Sequence, residues 1–167
     1  MKQLTADVLF VAIVAGAAAF VWQTAITLPD IVATHFGSAG EANGSMARAL
    51  YLRFMLLFVV LLPLGLSFLI SRVLRLPTTR INIPHREYWL APERRSESVG
   101  RLRNHMRLFG LMLAVFLCYV HWRVVQANKL TPPALDSTKF AYGLAIFMVA
   151  LTIWIVVLRR AFRPPRA

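Results

Sequence analysis

The sequence predicts an all-α integral membrane protein, a bundle of four antiparallel transmembrane helices with both termini on one side. Three observations predict it. Hydrophobic residues fill 58% of the 167 positions and the mean hydropathy is +0.61, whereas a soluble domain is apolar at roughly half its positions. Charged residues reach only 16%, against about a quarter in soluble domains. The apolar excess also falls in four blocks, each near the ~20 residues that cross a bilayer core. A single membrane domain is expected.

The first span covers residues 8–28, with Trp22 near its far end as an interfacial anchor. The small-residue run Ala15–Phe20 also suits a signal-peptide cleavage region. The apolar run continues through Val21, Trp22, Ala25 and Ile26, however, so an uncleaved anchor helix is expected. Pro29 ends that helix. The stretch LPDIVATHFGSAGEANG (Leu28–Gly44) follows as a polar loop, with glycines for tight turns. Ser45 is placed to cap the second span, residues 46–71, which Pro63 is expected to kink.

Residues 72–105 form a charged connection broken by Pro77, Pro84 and Pro92. Tyr88 and Trp89 are adjacent amphipathic aromatics suited to a headgroup layer. Ser96–Met106 is expected to begin an interfacial helical turn into the third span, residues 106–125. That span holds Cys118, His121, Trp122 and Arg123. A loop at 126–139 carries Pro132, Pro133 and Asp136, and the fourth span covers 140–158. No internal repeat relates the two halves.

Basic residues sort the two sides. Lys2, the nine arginines of 72–107 and the four after residue 158 lie on the side of the termini. Arg48, Arg53, Arg123, Lys129 and Lys139 lie on the other. Excess lysine and arginine marks the cytoplasmic face. The expectation is a multi-pass protein of the bacterial inner (plasma) membrane with both termini cytoplasmic. Residues 29–45 and 126–139 then face outward. The net charge of +12 is attributed to this topology and to anionic headgroups of the bilayer, not to nucleic acid. The single cysteine, Cys118, excludes an intrachain disulfide.

Depth selects candidate site residues. Counted from Met106 at 1.5 Å per residue, His121 lies about 22 Å along its helix, in the outer third of a core about 30 Å thick. Arg53 lies about 10 Å inside its own span. Ionisable groups at such depth face a bundle interior or a wet cavity, or snorkel outward. His121 and Asn128 are seven residues apart and share a helix face. The candidate binding pocket therefore combines Asp30, His35 and Glu41 of the first loop with Arg53, His121 and Asn128. The alternatives are plain: His121 as a hydrogen-bonded interfacial residue, Arg53 as a snorkelling side chain and Arg123 as a headgroup contact. Trp22, Tyr88, Trp89 and Trp122 are expected at the membrane interface. No metal site is assigned. His35 and His121 are the candidate ligands, but HxxxH, HxH and CxxC spacings are missing. The sequence has no phosphate loop, nucleophile elbow or HExxH. No acidic residue sits mid-span, where proton-coupled transporters keep one. A non-enzymatic protein without a cofactor is expected.

Leu28, Pro29, Asp30, Ile31, Thr34, His35, Phe36, Gly40, Glu41 and Gly44 resemble the pattern that follows the first helix in a bacterial membrane domain of unknown function. That domain also forms the N-terminal part of SdpI-type immunity proteins. Asn82–Arg95 and Val124–Pro133 look like two further segments of its members. The resemblance implies a membrane protein able to protect a cell from a peptide toxin or to sequester a repressor. With four spans, the chain is expected to lack the extra C-terminal membrane domain of the immunity proteins.

The leading expectation is a non-enzymatic inner-membrane protein that binds a partner protein or an antimicrobial peptide through its outer loop. An alternative is an accessory subunit of a larger membrane enzyme or transport complex, packed against a membrane protein partner or a second copy. A third is a metal-handling protein using His35 and His121.

Overall fold

In a bilayer a segment satisfies its backbone internally only as a helix or in a closed barrel, and the four apolar blocks are helical. The computed structural model describes residues 2–73 and 85–163. The elements are α1 (Lys2–Ala25), β1 (Ile31–Phe36), β2 (Ala42–Ala47), α2 (Arg48–Val73), α3 (Arg86–Trp89), α4 (Pro92–Ala127) and α5 (Ser137–Ala161). Helices α1, α2, α4 and α5 are each long and apolar enough to cross a membrane. Their outward surfaces carry Leu9, Ile13, Leu61, Val115, Ile146 and Ile153, all exposed. A soluble protein rarely leaves so much contiguous apolar surface bare. Lipid tails cover it without cost.

The core lies where α1, α2 and α4 meet. Val21, Ala25, Tyr51, Met55, Val59, Val124 and Val125 are buried together there. Gly110 of α4 lets the three helices approach. A Cβ on it would stand 3.3 Å from Pro63 Cα and 3.4 Å from Phe10, the small-residue contact that membrane bundles use in place of a hydrophobic drive. Helix α5 packs on α4 and contributes no buried residue.

Several boundaries differ from those the sequence predicts. Helix α4 has 36 residues, about 54 Å at 1.5 Å per residue, against a core of about 30 Å. Its apolar part begins at Leu108. The segment Pro92–Arg107 projects past it, bearing charge. The expected turn at Ser96–Met106 is therefore part of one continuous helix, begun by Pro92 in its first turn, where proline is tolerated. Pro77 and Pro84 lie outside the described residues. The second helix starts at Arg48, not residue 46, because Ser45 belongs to β2. The stretch between α1 and α2, expected as a polar loop, is an antiparallel hairpin.

Contacts define the two ends of the bundle. At one, Arg107 pairs with Asp7 and Arg103 bonds Gln3, 3.1 Å apart, so the start of α1 meets α4 where its charged part gives way to its apolar part. The end of α5 is held there too. Arg101 donates to Ala161 O (2.8 Å) and the Trp89 indole to Phe162 O (2.8 Å). Trp89 is thus buried under α5 rather than in a headgroup layer, a correction that follows from its N–H finding a carbonyl partner. Tyr88 is half-buried with Arg94 over its ring at 4.2 Å. Trp22 and Trp122 are 54% and 38% exposed. The hairpin occupies the opposite end.

Candidate functional site

An isolated two-stranded hairpin is marginal in water, so the polar end needs anchors. Val32 and Ala33 of β1 are buried against the helices. The Asn128 side chain, one residue past α4, acts as a short strand. Its Oδ1 accepts from the Ala33 N–H (2.8 Å), while its amide donates to Ala33 O and Val124 O (both 2.9 Å). Both polar groups of the Ala33 peptide edge are satisfied by one side chain of another element. Arg48 ties the entry to the exit. It donates to Leu28 O (2.6 Å), pairs with Asp30 (2.9 Å), and its N–H bonds Asp30 O (2.8 Å). The Asp30 side chain is 90% exposed, so that ion pair orders the corner more than it stabilises it.

The tip of the hairpin docks on the loop between α4 and α5. Leu135 N–H donates to Gly40 O (2.8 Å), and Glu41 bridges Ala134. Gly40 has φ +90°, and a Cβ there would stand 2.1 Å from Leu135 O. Both the backbone conformation and the contact therefore demand glycine.

Beneath the hairpin lies a buried polar layer. His121 has no exposed surface. Its Nε2 is 2.7 Å from Thr24 Oγ1 and its Nδ1 2.8 Å from the Tyr51 hydroxyl. The Thr24 hydroxyl donates to Phe20 O (2.6 Å). Its one proton is thereby used, so it accepts from an Nε2–H. Nδ1 is then the lone-pair nitrogen and accepts the Tyr51 proton. A neutral imidazole satisfies the whole chain and links α1, α2 and α4. Tyr51 also stacks on the ring at 5.6 Å and Phe20 meets it edge-on at 6.0 Å.

The sequence-predicted residues separate into two groups. His121 and Asn128 share a face of α4 and do point at the hairpin end, one under it and one into it. Asp30 and Glu41 hold its corner and tip. Arg53 does not join them. It is exposed on α2, and Tyr51, two residues away and so on the opposite face, takes the place beside His121. His35 is exposed on β1, with the two His121 nitrogens already engaged. The two histidines therefore do not form a pair, and among the described residues no group of three potential metal ligands gathers. Arg123 approaches Asp136 at 3.9 Å. Sequence reasoning missed Thr24, Tyr51 and Arg48. The signal for Tyr51 was the i, i+4, i+8 row with Met55 and Val59, which defines the inward face of α2.

Residues 9–66 match the family model described as a domain of unknown function, DUF1648. The chain carries this domain. No curated protein and no solved structure matches the chain. The DUF1648 region covers most of α1, the hairpin and α2 as far as Leu66. It therefore supplies Thr24, Tyr51 and the hairpin, while His121 and Asn128, which complete the polar layer and the anchor, come from α4 beyond it.

One edge of the DUF1648 hairpin stays open. Ala33 and Ser45 face each other in the register. Ala33 directs its N–H and C=O away from β2, towards Asn128, so this is a non-hydrogen-bonded pair and Ser45 directs its own groups outward. Among the described residues no backbone group bonds them. A pocket of about 450 Å³ is lined by Ile31 and Ala33 of β1, by Asn43 and Ser45 on the β2 side, and by Pro133.

Proposed function

We propose that this is a non-enzymatic protein of the bacterial inner membrane whose hairpin captures an extended peptide segment, from an antimicrobial peptide or a partner protein. The observation that supports it most is the open β2 edge at Ser45. An exposed sheet edge takes a further strand by main-chain hydrogen bonds, with side-chain pockets adding selectivity. Most sheets blunt such an edge with charge or proline. Here Asn43, Ser45 and Ala47 are small or neutral and exposed. The hairpin is anchored to α4 by Asn128, so the edge is presented on a fixed support rather than on a mobile loop.

The orientation belongs to the same proposal. The end of the bundle opposite the hairpin carries the arginine-rich segment of α4 and the last arginines of α5. Lysine and arginine excess on that end supports cytoplasmic termini and an outward hairpin. The DUF1648 match supports kinship with the membrane domain of SdpI-type immunity proteins, and so a role in resisting a peptide toxin. The test is strand blocking. Ser45→Pro removes the outward N–H without touching a bond to β1. Cells expressing the parent protein should survive a peptide challenge, and those with Ser45→Pro should lose that protection while Ser45→Ala keeps it. Protection that is unchanged by Ser45→Pro would refute edge capture.

An accessory-subunit role is favoured by one observation: α5 has no buried residue, leaving its outer face free to meet a larger membrane protein. Co-purification in mild detergent tests it, and a clean monomer counts against it.

A further inference from the structure

Helices α4 and α5 meet near both ends and again midway, where Phe116 stacks on Phe147 at 4.3 Å, and a groove runs along this seam. At the hairpin end the Tyr119 ring lies against Gly143, where a Cβ would stand 2.1 Å from it, and the Tyr119 hydroxyl donates to Lys139 O. Towards the other end Phe109 stacks on Trp154 at 4.9 Å, and the Trp154 indole donates to His105 O (3.0 Å). The groove has a volume of about 440 Å³ and is lined only by apolar and aromatic side chains such as Met112, Val115, Phe116, Ile146, Phe147 and Ala150. That volume falls within the roughly 300–1,000 Å³ of ligand pockets. From Leu111 to Tyr119 it runs about 12 Å along α4, too short a seat for a second spanning helix of about 20 residues.

Its upper mouth is cationic. Arg123 follows Tyr119 by one turn of α4, and Lys139 precedes Gly143 by one turn of α5, so both stand above the groove. They share a single carboxylate, Asp136, at 3.9 Å from Arg123 and 3.0 Å from Lys139. The Arg123 side chain is only 11% exposed, and its Nε is buried with no hydrogen-bond partner among the described residues. A buried guanidinium N–H without an acceptor costs stability unless something supplies one. The excess of one positive charge over the shared carboxylate asks for an anionic oxygen above the groove.

We propose that this groove is a phospholipid site: one acyl chain lies in the α4–α5 slot and the lipid phosphate accepts from Arg123 and Lys139. The site is independent of the peptide-capture reading, since it uses no hairpin residue. It gives α5, which contributes no buried residue, a lipid that bridges it to α4.

Native mass spectrometry of the detergent-purified protein, titrated with phosphatidylglycerol, tests it. One lipid should bind above the non-specific background. Each of Arg123→Gln and Lys139→Gln should weaken binding about fivefold, the contribution of one cation near an anionic surface. Ala150→Phe, which fills the slot, should abolish the bound lipid, and inorganic phosphate should not displace it. Wild-type protein is also irradiated with phosphatidylglycerol carrying a photoreactive acyl chain, which needs no variant to fold. Adducts should concentrate between Leu111 and Tyr119 and between Gly143 and Ala150. Adducts spread evenly over α1, α2 and α5, equal binding by the Arg123 and Lys139 variants, displacement by phosphate, or a dimer cross-linked through the slot would each overturn the proposal.

Discussion

Replacing Asn128 by alanine should release the hairpin from the bundle while leaving the spans intact. Asn128 makes two hydrogen bonds to the Ala33 peptide edge, at 2.8 and 2.9 Å, and one to Val124 O. A net hydrogen bond contributes about 1 kcal/mol, and a buried group left unpaired costs about 1–3 kcal/mol. Asn128 is half-buried, so water replaces part of what is lost and the lower figure applies. Two bonds to β1 then amount to about 2 kcal/mol, or about 30-fold in the opening equilibrium. Hydrogen exchange of the Ala33 amide in detergent or nanodiscs reads that equilibrium directly. The expected result is exchange about 30-fold faster at Ala33, with the mid-span amides of α2 and α4 unchanged. Asn128→Asp sharpens the reasoning. It keeps the acceptor for the Ala33 N–H and loses the donor to Ala33 O, so it should fall between the parent and the alanine variant. Unchanged exchange at Ala33 in Asn128→Ala would refute the anchor, and with it the claim that the β2 edge is presented on a fixed support.

Three further outcomes are expected. Tyr51→Phe removes the only donor to His121 Nδ1 and should lower stability by about 1–2 kcal/mol, seen as a reduced thermal midpoint in detergent, whereas Arg53→Gln should leave it unchanged. Gly40→Ala, at φ +90° and against Leu135 O, should cost about 1–3 kcal/mol and raise exchange at the Leu135 amide; a neutral result would show that the hairpin tip does not dock on the loop between α4 and α5. The third is a pH effect at Asp136, which caps α5. The Lys139 backbone N–H, then the Lys139 side chain, holds its carboxyl below the ordinary 3.8. A carboxylate depressed in the folded state stabilises above its unfolded pKa, and that contribution is lost as pH falls through the folded value. Protection of the Lys139 amide should therefore hold from neutrality to about pH 5 and drop only below the ordinary carboxylate range, and Asp136→Asn should remove that pH dependence.

The four spans were legible because a membrane segment has to be apolar over its whole length, and that shows in composition alone. The hairpin was not. IVATHF (Ile31–Phe36) is rich enough in β-branched and aromatic residues to read as a strand, but ANGSMA (Ala42–Ala47) has none of that character. The anchor of its partner strand is Asn128, 95 residues from Ala33 in sequence, which no local pattern reveals. The long start of α4 was masked by the charge of residues 92–107. Charge marks a solvated helix as readily as a loop, and Pro92 was a start signal rather than a break. At the site, the shared face of His121 and Asn128 was readable from spacing. The residue facing them was chosen by charge, Arg53, when the inward row of α2 passes through Tyr51. His121 drew attention as an ionisable group at depth. Its partners are two hydroxyls, those of Thr24 and Tyr51, so both ring nitrogens are used in a hydrogen-bond bridge between helices.

The central claim is that the hairpin end faces the outside of the cell and offers the β2 edge there. Cysteine labelling in intact cells tests it most directly. With Cys118 replaced by serine, a cysteine introduced at Ser38 in the hairpin turn should react with a membrane-impermeant maleimide before lysis, and one at Glu97 in the projecting part of α4 only after it. Labelling of the Glu97 position in intact cells, with the Ser38 position protected until lysis, would contradict the orientation and remove the edge from any peptide arriving from outside.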